Sequence, residues 1–315
     1  MNKKLTVVSL FSGAGGLDLG FKQAGFNLIW ANDFDKDAVE TYKENIGKEC
    51  VLGDITKIPS SEIPNADVMI GGFPCQGFSM ANTKRHELDE RNSLYLEYVR
   101  ILKAKQPKVF VAENVKGILS LGKGEIIKAI IQDFSDAGYS VEYKLLNAAD
   151  YGVPQTRQRV IIVGIRKDLD IQFEFPKQTH SKNGNDGLKR WVSIKEAISH
   201  LPDPDGENAD SVPNNEYSQY KIIMNGYLGK RPINENIPAP TVTGRGDAKG
   251  GVVILPHPNG HRRMTVRELA TIQSFPVDFQ FQGNKTNCYR QIANAVPVGL
   301  SKAIAGSILK SFNVL

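Results

Sequence analysis

Short apolar runs alternate with amphipathic segments over the first half of the chain, and this alternation constrains the fold more than any other feature. The apolar runs are of strand length and rich in β-branched residues, and they span 5–10, 28–31, 68–70, 109–112 and 160–165. Apolar side chains recur at helical spacing between them, in the segments 17–24, 37–45, 94–105 and 125–137. Strands that alternate with helices of this length predict an α/β fold with a doubly wound, mostly parallel sheet.

The chain changes character near residue 168. From there to residue 262 it is rich in Pro, Gly, Asn and Asp and has no sustained period, which predicts a second, smaller and more irregular domain. Helical patterns return at 266–274 and 298–312, and we expect the second of these to pack on the first domain. We therefore predict a first domain over 1–167, a second over 168–262, and a return to the first over 263–315.

Composition excludes several classes of protein. The 315 residues include three cysteines, too far apart for a disulfide scaffold or a Cys-x-x-Cys metal site, so we expect no metal and a reducing compartment such as the cytoplasm. The longest clear apolar run is much shorter than the ~20 residues of a membrane helix, and the N-terminus has no signal-peptide pattern. The net charge of +5 permits a nucleic acid partner without requiring one.

Basic residues concentrate in one part of the second region. The window 221–267 has two acidic residues and eight basic ones, which are Lys221, Lys230, Arg231, Arg245, Lys249, Arg262, Arg263 and Arg267. A basic, glycine-rich segment can follow a phosphate backbone closely. An ordinary solvated surface has the same composition, and the sequence leaves both interpretations open.

A glycine-rich turn follows the first predicted strand, in the order Phe11, Ser12, Gly13, Ala14, Gly15 and Gly16. Such a turn brings backbone N–H groups close to a ligand. Asp33 ends the second apolar run, where a carboxylate can bind ribose hydroxyls, and Phe34 beside it could stack on adenine. Asp18 stands where a dinucleotide fingerprint needs its third glycine, which favours an adenosyl ligand without phosphates. Asp54 could bind the adenine amino group or simply cap a turn.

The third predicted strand leads into a cysteine loop, Gly71-Gly72-Phe73-Pro74-Cys75-Gln76. Ligands of open α/β sheets bind at the carboxyl ends of strands, so this context favours a nucleophilic Cys75 over a buried structural thiol. We interpret Cys50 and Cys288, which lack such a context, as structural.

Polar side chains also stand at the ends of the last two predicted strands. Glu113 and Asn114 end an apolar strand, where an unpaired buried carboxylate would be costly; a helix cap at Asn114 is the alternative. Arg157 and Arg159 lie two residues apart and would share one face of an extended chain, so we expect them to hold one anion or polar base together. An exposed basic strand edge is the alternative.

Taken in order, these blocks resemble the DNA (cytosine-5) methyltransferases of bacterial restriction-modification systems. The resemblance covers 5–166 and 262–312 and rests also on Arg267-Glu268, on Gln273-x-Phe275-Pro276, and on Asn294-Ala295-Val296-Pro297. Ala293 departs from the family's usual Gly, which affects the expected local geometry rather than the role of Asn294. The resemblance implies the S-adenosylmethionine-dependent methyltransferase fold, with a catalytic and cofactor-binding domain that is interrupted at 168–262 by a target-recognition domain.

The resemblance also implies an S-adenosylmethionine site and a covalent mechanism. The expected cofactor contacts are Phe11, Ser12, Gly13, Ala14, Gly15, Gly16, Leu17, Asp33, Phe34, Asp54, Ile55, Pro74, Leu94, Asn294, Ala295 and Val296. In the implied mechanism, Cys75 would add to cytosine C6 and Glu113 would contact N3 and the exocyclic amine. Arg159 with Arg157 would hold the base oxygen or a phosphate. Asn114 would orient the cysteine loop.

The implied partner is double-stranded DNA with the target cytosine flipped out of the helix. Gln76, Ser79, Lys84 and Arg85 would contact the DNA from a mobile loop, for which an ordinary surface loop is the alternative, and Arg245 would reach a guanine edge. We expect a monomer, with a companion restriction endonuclease as a possible partner. The alternatives are a tRNA cytosine methyltransferase, a non-enzymatic DNA-binding relative, and a nucleotide-dependent dehydrogenase, which Asp18 disfavours.

Overall fold

A seven-stranded sheet forms the centre of the molecule. We describe a computed structural model, and the described residues are 4–74, 93–185, 187–219, 222, 231–244 and 252–312. The sheet strands are β1 (Thr6–Leu10), β2 (Asn27–Asp33), β3 (Cys50–Leu52), β4 (Val68–Gly71), β5 (Val109–Val115), β6 (Tyr139–Asn147) and β8 (Gln158–Arg166). Their order is β3-β2-β1-β4-β5-β8-β6. The first five strands are parallel, and β8 runs antiparallel to both β5 and β6, so the predicted mostly parallel α/β sheet is confirmed.

Helices cover both faces of this sheet. They are α1 (Gly16–Gln23), α2 (Lys36–Asn45), α3 (Ser93–Lys105), α4 (Glu125–Asp136) and, from the end of the chain, α8 (Val298–Ser311). One hydrophobic cluster joins α3 and α4 to one face, and another joins α1 and α8 to the other face. The predicted return of the last helix to the first domain is confirmed by its packing against α1.

Small elements make up the rest of the described chain. They are β7 (Gln155–Thr156), β9 (His180–Ser181), β10 (Lys189–Arg190), α5 (Ile194–Ile198), β11 (Ala239–Pro240), β12 (Thr243–Gly244), β13 (Val252–Val253), α6 (Val266–Ile272) and α7 (Lys285–Asn294). A third cluster joins α5, α6 and α7 to α1 and α2. Residues 263–294 thus share a core with the second region, and the predicted boundary near 262 stays a prediction.

One apolar stretch, Lys285–Ser311, has the length and hydropathy of a membrane-spanning helix. It consists of the two helices α7 and α8, with Ala295 in extended conformation between them. Of its apolar 18-residue window, 56% is buried inside the protein. Helices packed inside a core have this same character, so the stretch is weak evidence for a membrane span.

Candidate active site

The glycine-rich turn lies between β1 and α1 in an unusual backbone conformation. Phe11, Gly13 and Gly15 all have positive φ angles, of 55°, 54° and 85°. Such angles are costly for a residue with a side chain, and Phe11 therefore marks a site of local strain. No described atom lies within 4 Å of the position that a Cβ on Gly13 would take. The turn thus leaves open space above its backbone at the carboxyl edge of the sheet.

Asp33 closes the turn from the neighbouring strand. The Gly13 N–H donates to Oδ2 of Asp33 at 2.8 Å, and the Asp35 N–H donates to Oδ1 at 2.9 Å. Burial raises the pKa of Asp33, against the lowering effect of these hydrogen bonds. The adjacent Phe34 has 74% of its surface exposed, which leaves its ring available for stacking.

The other expected cofactor contacts differ in their exposure. Asp54 accepts hydrogen bonds from the N–H and the hydroxyl of Thr56, at 3.0 and 2.8 Å, so the expected turn cap is present. Ile55 is a core residue in the cluster around α3, so its side chain is not free for a ligand. Leu94 is partly buried against that same cluster, and Pro74 is exposed.

The loop after α7 packs against the glycine-rich turn. A Cβ on Gly16 would collide with the carbonyl oxygen of Val296 and approach Ala295 to 3.1 Å, so only glycine permits this contact. Val296 is buried, Ala295 is partly buried and Asn294 is exposed. Two distant parts of the chain therefore meet at the expected cofactor site.

Glu113 and Arg159 form an ion pair at the end of the central strands. The Nε of Arg159 lies 2.7 Å from Oε1 of Glu113, and the two side chains are only 11% and 13% exposed. Glu113 is opposite Ile161 in the antiparallel β5–β8 ladder, so Arg159 is its diagonal neighbour on the same face. The structure thus brings together an acid and a cation that the sequence predicted separately.

The segment leading to the cysteine loop is held against this pair. A Cβ on Gly72 would lie only 2.9 Å from Oε2 of Glu113. Because glycine has no Cβ, the backbone at Gly72 can lie this close to the Glu113 carboxylate. The side chain of Asn114 donates from Nδ2 to the carbonyl oxygen of Phe73 at 3.0 Å, which links the end of β5 to the backbone two residues before Cys75. Other expected site residues lie outside the described residues, and these are Cys75, Gln76, Ser79, Lys84, Arg85 and Arg245.

Arg157 does not join Arg159, and the expectation that the two arginines hold one anion together is wrong. Arg157 is 1% exposed, and its two terminal nitrogens donate to the carbonyl oxygens of Val242, Ala293 and Ala295, at 2.6, 2.7 and 3.1 Å. It lies in a turn between β7 and β8, where the alternation of an extended chain does not hold. Its guanidinium therefore ties the segment around Val242 and the end of α7 to the beginning of β8.

Two glutamines extend this tie: Gln273, which belongs to a block quoted above for the resemblance, and Gln155, which precedes Arg157 by two residues. Gln155 donates from Nε2 to Oε1 of Gln273 at 3.0 Å and accepts from the N–H of Val242 at 3.0 Å. Gln273 in turn donates to the carbonyl oxygen of Ile292 at 2.8 Å. Both side chains are fully buried, and such polar groups need partners.

Three arginines of the basic window 221–267 face inward rather than toward phosphates. Arg262 binds both carboxylate oxygens of Glu268, at 2.8 and 2.7 Å, and Arg263 donates to the carbonyl oxygen of Ile254. Arg267 is fully buried and donates to the carbonyl oxygens of three residues, which are Pro213, Pro276 and Phe279. Such charged groups are buried only when partnered, so the window holds less free positive charge than its composition suggests.

Cys50 and Cys288 are buried thiols, as predicted. Burial raises the pKa of each to about 12, so neither forms a thiolate readily at neutral pH. Among the described residues there is also no group of three or more side chains that could hold a metal ion.

The comparisons with known proteins agree with this arrangement. Residues 5–310 match the family of C-5 cytosine-specific DNA methylases. The chain is 41% identical to Type II methyltransferase M.NgoFVII of Neisseria gonorrhoeae, over 99% of this chain and 88% of that one. It is also 41% identical to Type II methyltransferase M.FnuDI of Fusobacterium nucleatum, over 96% and 94% of the two chains. A solved structure of a prophage-encoded E. coli protein is 26% identical, with a TM-score of 0.74 over 98% of this chain. The chain therefore belongs to the C-5 cytosine-specific DNA methylases, and it is a DNA (cytosine-5) methyltransferase.

Proposed function

We propose that this enzyme transfers a methyl group from S-adenosylmethionine to C5 of a flipped-out cytosine in a specific duplex sequence. The observation that carries the proposal is the buried Glu113–Arg159 pair beside the Gly72–Phe73 backbone that leads to Cys75. A carboxyl group and a guanidinium at one point suit a ring that must gain and lose a proton while charge develops on it. The glycine-rich turn opens at the same carboxyl edge of the sheet.

The residues of that turn fit an adenosyl ligand. The open space above Gly13 would receive the methionine part of the cofactor, and the fixed Asp33 carboxylate would accept hydrogen bonds from the ribose hydroxyls. The exposed Phe34 ring would stack on adenine. When bound, S-adenosylmethionine supplies an electrophilic methyl group on a positively charged sulfur. Asp54, Leu94 and Pro74 complete the proposed site, together with the loop around Val296.

The chain's own residues would make C5 of cytosine reactive. The Cys75 thiolate would add to C6 and move the electron pair of the C5–C6 double bond toward C5. C5 could then take the methyl group that the cofactor would supply, while the electron pair of the broken S–CH3 bond would stay on the cofactor sulfur as a neutral thioether. Glu113 holds a proton at N3 while the ring is not aromatic, and Arg159 balances negative charge on the base oxygen. A base removes the C5 proton after methyl transfer, and the electron pair of that C–H bond restores the double bond and expels Cys75 as a thiolate.

Contacts with DNA complete the proposal. Cytosine C6 is inaccessible inside a duplex, so the base must leave the stack at a cost of a few kcal/mol. Gln76, Ser79, Lys84 and Arg85 would contact the DNA around the flipped base, and Arg245 would read a guanine edge. We further propose that the enzyme acts as a monomer in the bacterial cytoplasm, alongside a restriction endonuclease for the same sequence.

Two measurements test this function. Bisulfite sequencing of DNA from cells that express the protein should reveal one methylated duplex sequence. A duplex with 5-fluorocytosine at that position should then trap a covalent adduct, because fluorine cannot leave as a proton does, and Cys75→Ala should abolish the adduct. An adduct that persists in Cys75→Ala would refute the nucleophile. Methyl transfer to tRNA but not to duplex DNA would favour the tRNA alternative.

A further inference from the structure

A cleft in the second region carries positive charge that the proposed mechanism does not use. Its walls come from residues 182–191 and 231–240, and it encloses about 580 Å³. Three cations line it, Lys182, Arg190 and Arg231, and none of the described lining residues is acidic. All three cations are exposed. We refer to this feature as the basic cleft.

Three carboxylates near the basic cleft have partners among the described residues. Glu235 is paired with Lys195 at 3.0 Å, and Asp150 accepts a hydrogen bond from the indole N–H of Trp191 at 2.9 Å. Glu196 accepts from the N–H and the hydroxyl of Ser193, at 2.8 and 2.5 Å, in the cap of α5. Arg190 also lowers the pKa of Glu196 by its charge, which is a smaller effect than the Ser193 hydrogen bonds. All three cations of the cleft are exposed and so accessible to an anionic partner.

The basic cleft is anchored to the catalytic strand. Thr156, which lines the cleft, pairs with Pro240 in the β7–β11 ladder. Thr156 precedes Arg159 by three residues, so their Cα atoms lie within about 11 Å of each other, the greatest reach of three extended residues. A duplex with its target base at Glu113 and Arg159 would carry flanking phosphates well within one helical turn, about 34 Å, of that base.

We propose that the basic cleft binds the phosphodiester backbone of duplex DNA beside the flipped cytosine, through Lys182, Arg190 and Arg231. This inference rests on the proposed function and adds a phosphate-contact surface to it. Three exposed cations, with no acid among the described lining residues, match a polyanion, and contacts of this kind position a duplex without reading its sequence. The apolar surface of Trp191 and Ile237 between the cations would lie against the sugars.

The salt dependence of DNA binding tests the cleft. The variant K182A/R190A/R231A is compared with wild type on a 30-bp mixed-sequence duplex by fluorescence anisotropy at several salt concentrations. The logarithm of the DNA association constant falls with the logarithm of the salt concentration, and each phosphate contact adds about 0.9 to the steepness of that fall. We therefore expect the triple variant to give a line less steep by about 2 to 3 and to bind DNA at least ~10-fold more weakly at 50 mM salt. The charge-preserving variant K182R/R190K/R231K should keep the wild-type slope.

A matched control removes the same charge elsewhere. Lys128 on α4 and Lys302 and Lys310 on α8 are exposed, and K128A/K302A/K310A should leave the slope within about half a unit of wild type. An unchanged slope in K182A/R190A/R231A would overturn the proposal, and so would an equal loss in the charge-preserving variant. A methylation assay on plasmid DNA with the wild type distinguishes a failure of the basic-cleft proposal from a failure of the proposed methyl transfer. Wild-type protein that binds DNA but transfers no methyl group would contradict the methyl transfer alone.

Discussion

The Nε of Arg159 lies 2.7 Å from Oε1 of Glu113, across the junction where the sheet changes from parallel to antiparallel. Because β8 runs opposite to β5, the beginning of one strand meets the end of the other. An acid that follows an apolar run and an arginine that precedes one therefore come together on one face. Each group compensates the buried charge of the other.

Glu113→Gln should lower the rate of methyl transfer by about 10²- to 10⁴-fold, the usual contribution of a positioned proton donor or acceptor. The amide keeps the shape of the carboxyl group but cannot exchange a proton in the same way. Initial rates with radiolabelled cofactor and duplex DNA measure the effect. Glu125→Gln, on the exposed first turn of α4, is the control and should retain full activity. A Glu113→Gln enzyme with a wild-type rate would exclude proton transfer by Glu113.

Arg157→Met should destabilise the fold by on the order of 3 kcal/mol, because the buried carbonyl oxygens of Val242 and Ala293 lose a donor and that of Ala295 keeps only a long hydrogen bond from Gln273. Urea unfolding followed by circular dichroism gives the change in the free energy of unfolding. Lys128→Met, at an exposed position, should change it little. If Arg157→Met were fully stable but unable to bind DNA, Arg157 would hold an anion after all, and its structural assignment would fail.

The sequence predicted the parallel half of the sheet better than its edge. Runs such as 109–112 are buried on both faces and therefore apolar throughout, which makes them easy to recognise. Strand β6 was missed because it lies at the sheet edge and exposes Glu142, Tyr143 and Lys144 in succession. Helix α7 was missed because its sequence is mostly polar, although Cys288 and Tyr289 are buried in the third cluster.

The site was predictable where a residue acts from the end of a strand, and not where its partners are far away in sequence. Asp33 and Glu113 follow apolar runs, so their place at the carboxyl edge followed from the alternation alone. The role of Arg157 depends on Val242, Ala293 and Ala295, which no local spacing connects to it. The structure accounts for Ala293 where the sequence could not. Its carbonyl oxygen accepts a hydrogen bond from Arg157, and its methyl group is accommodated in the core.

Gly20→Ala and Gly306→Ala should have opposite effects on stability, although both glycines lie inside helices. A Cβ on Gly20 would collide with Ser301 and come within 2.6 Å of the backbone nitrogen of Lys302, so the close packing of α1 on α8 would have to open. We expect a loss of about 1–3 kcal/mol. No described atom lies within 4 Å of a Cβ on Gly306, and Ala there should stabilise α8 by up to about 1 kcal/mol. Thermal unfolding of both variants measures the difference, and equal effects would contradict the proposed α1–α8 contact.

Asp18 should make the stability of the protein fall as the pH rises from about 4 to about 7. This side chain is fully buried in α1, where it accepts a hydrogen bond from the Tyr42 hydroxyl at 3.1 Å. Burial raises the pKa of Asp18 from 3.8 to about 7, against the lowering effect of that hydrogen bond. The folded protein therefore binds a proton that the unfolded chain releases near pH 4. Its stabilising contribution is complete below about pH 4 and is lost by about pH 7, with a total of up to a few kcal/mol.

Asp18→Asn removes this dependence, because the amide stays neutral at every pH and can still accept from Tyr42. The free energy of unfolding, measured in urea from pH 4.5 to 8, should decline less steeply in Asp18→Asn than in the wild type. The two proteins should differ most at pH 8, where wild-type Asp18 carries a buried charge and the variant does not. The exposed Asp168, paired with Arg166, offers a matched control, and Asp168→Asn should leave the shape of the neutral-range curve unchanged. Parallel curves for the wild type and Asp18→Asn would mean that Asp18 is already ionised in the folded protein at pH 4.5.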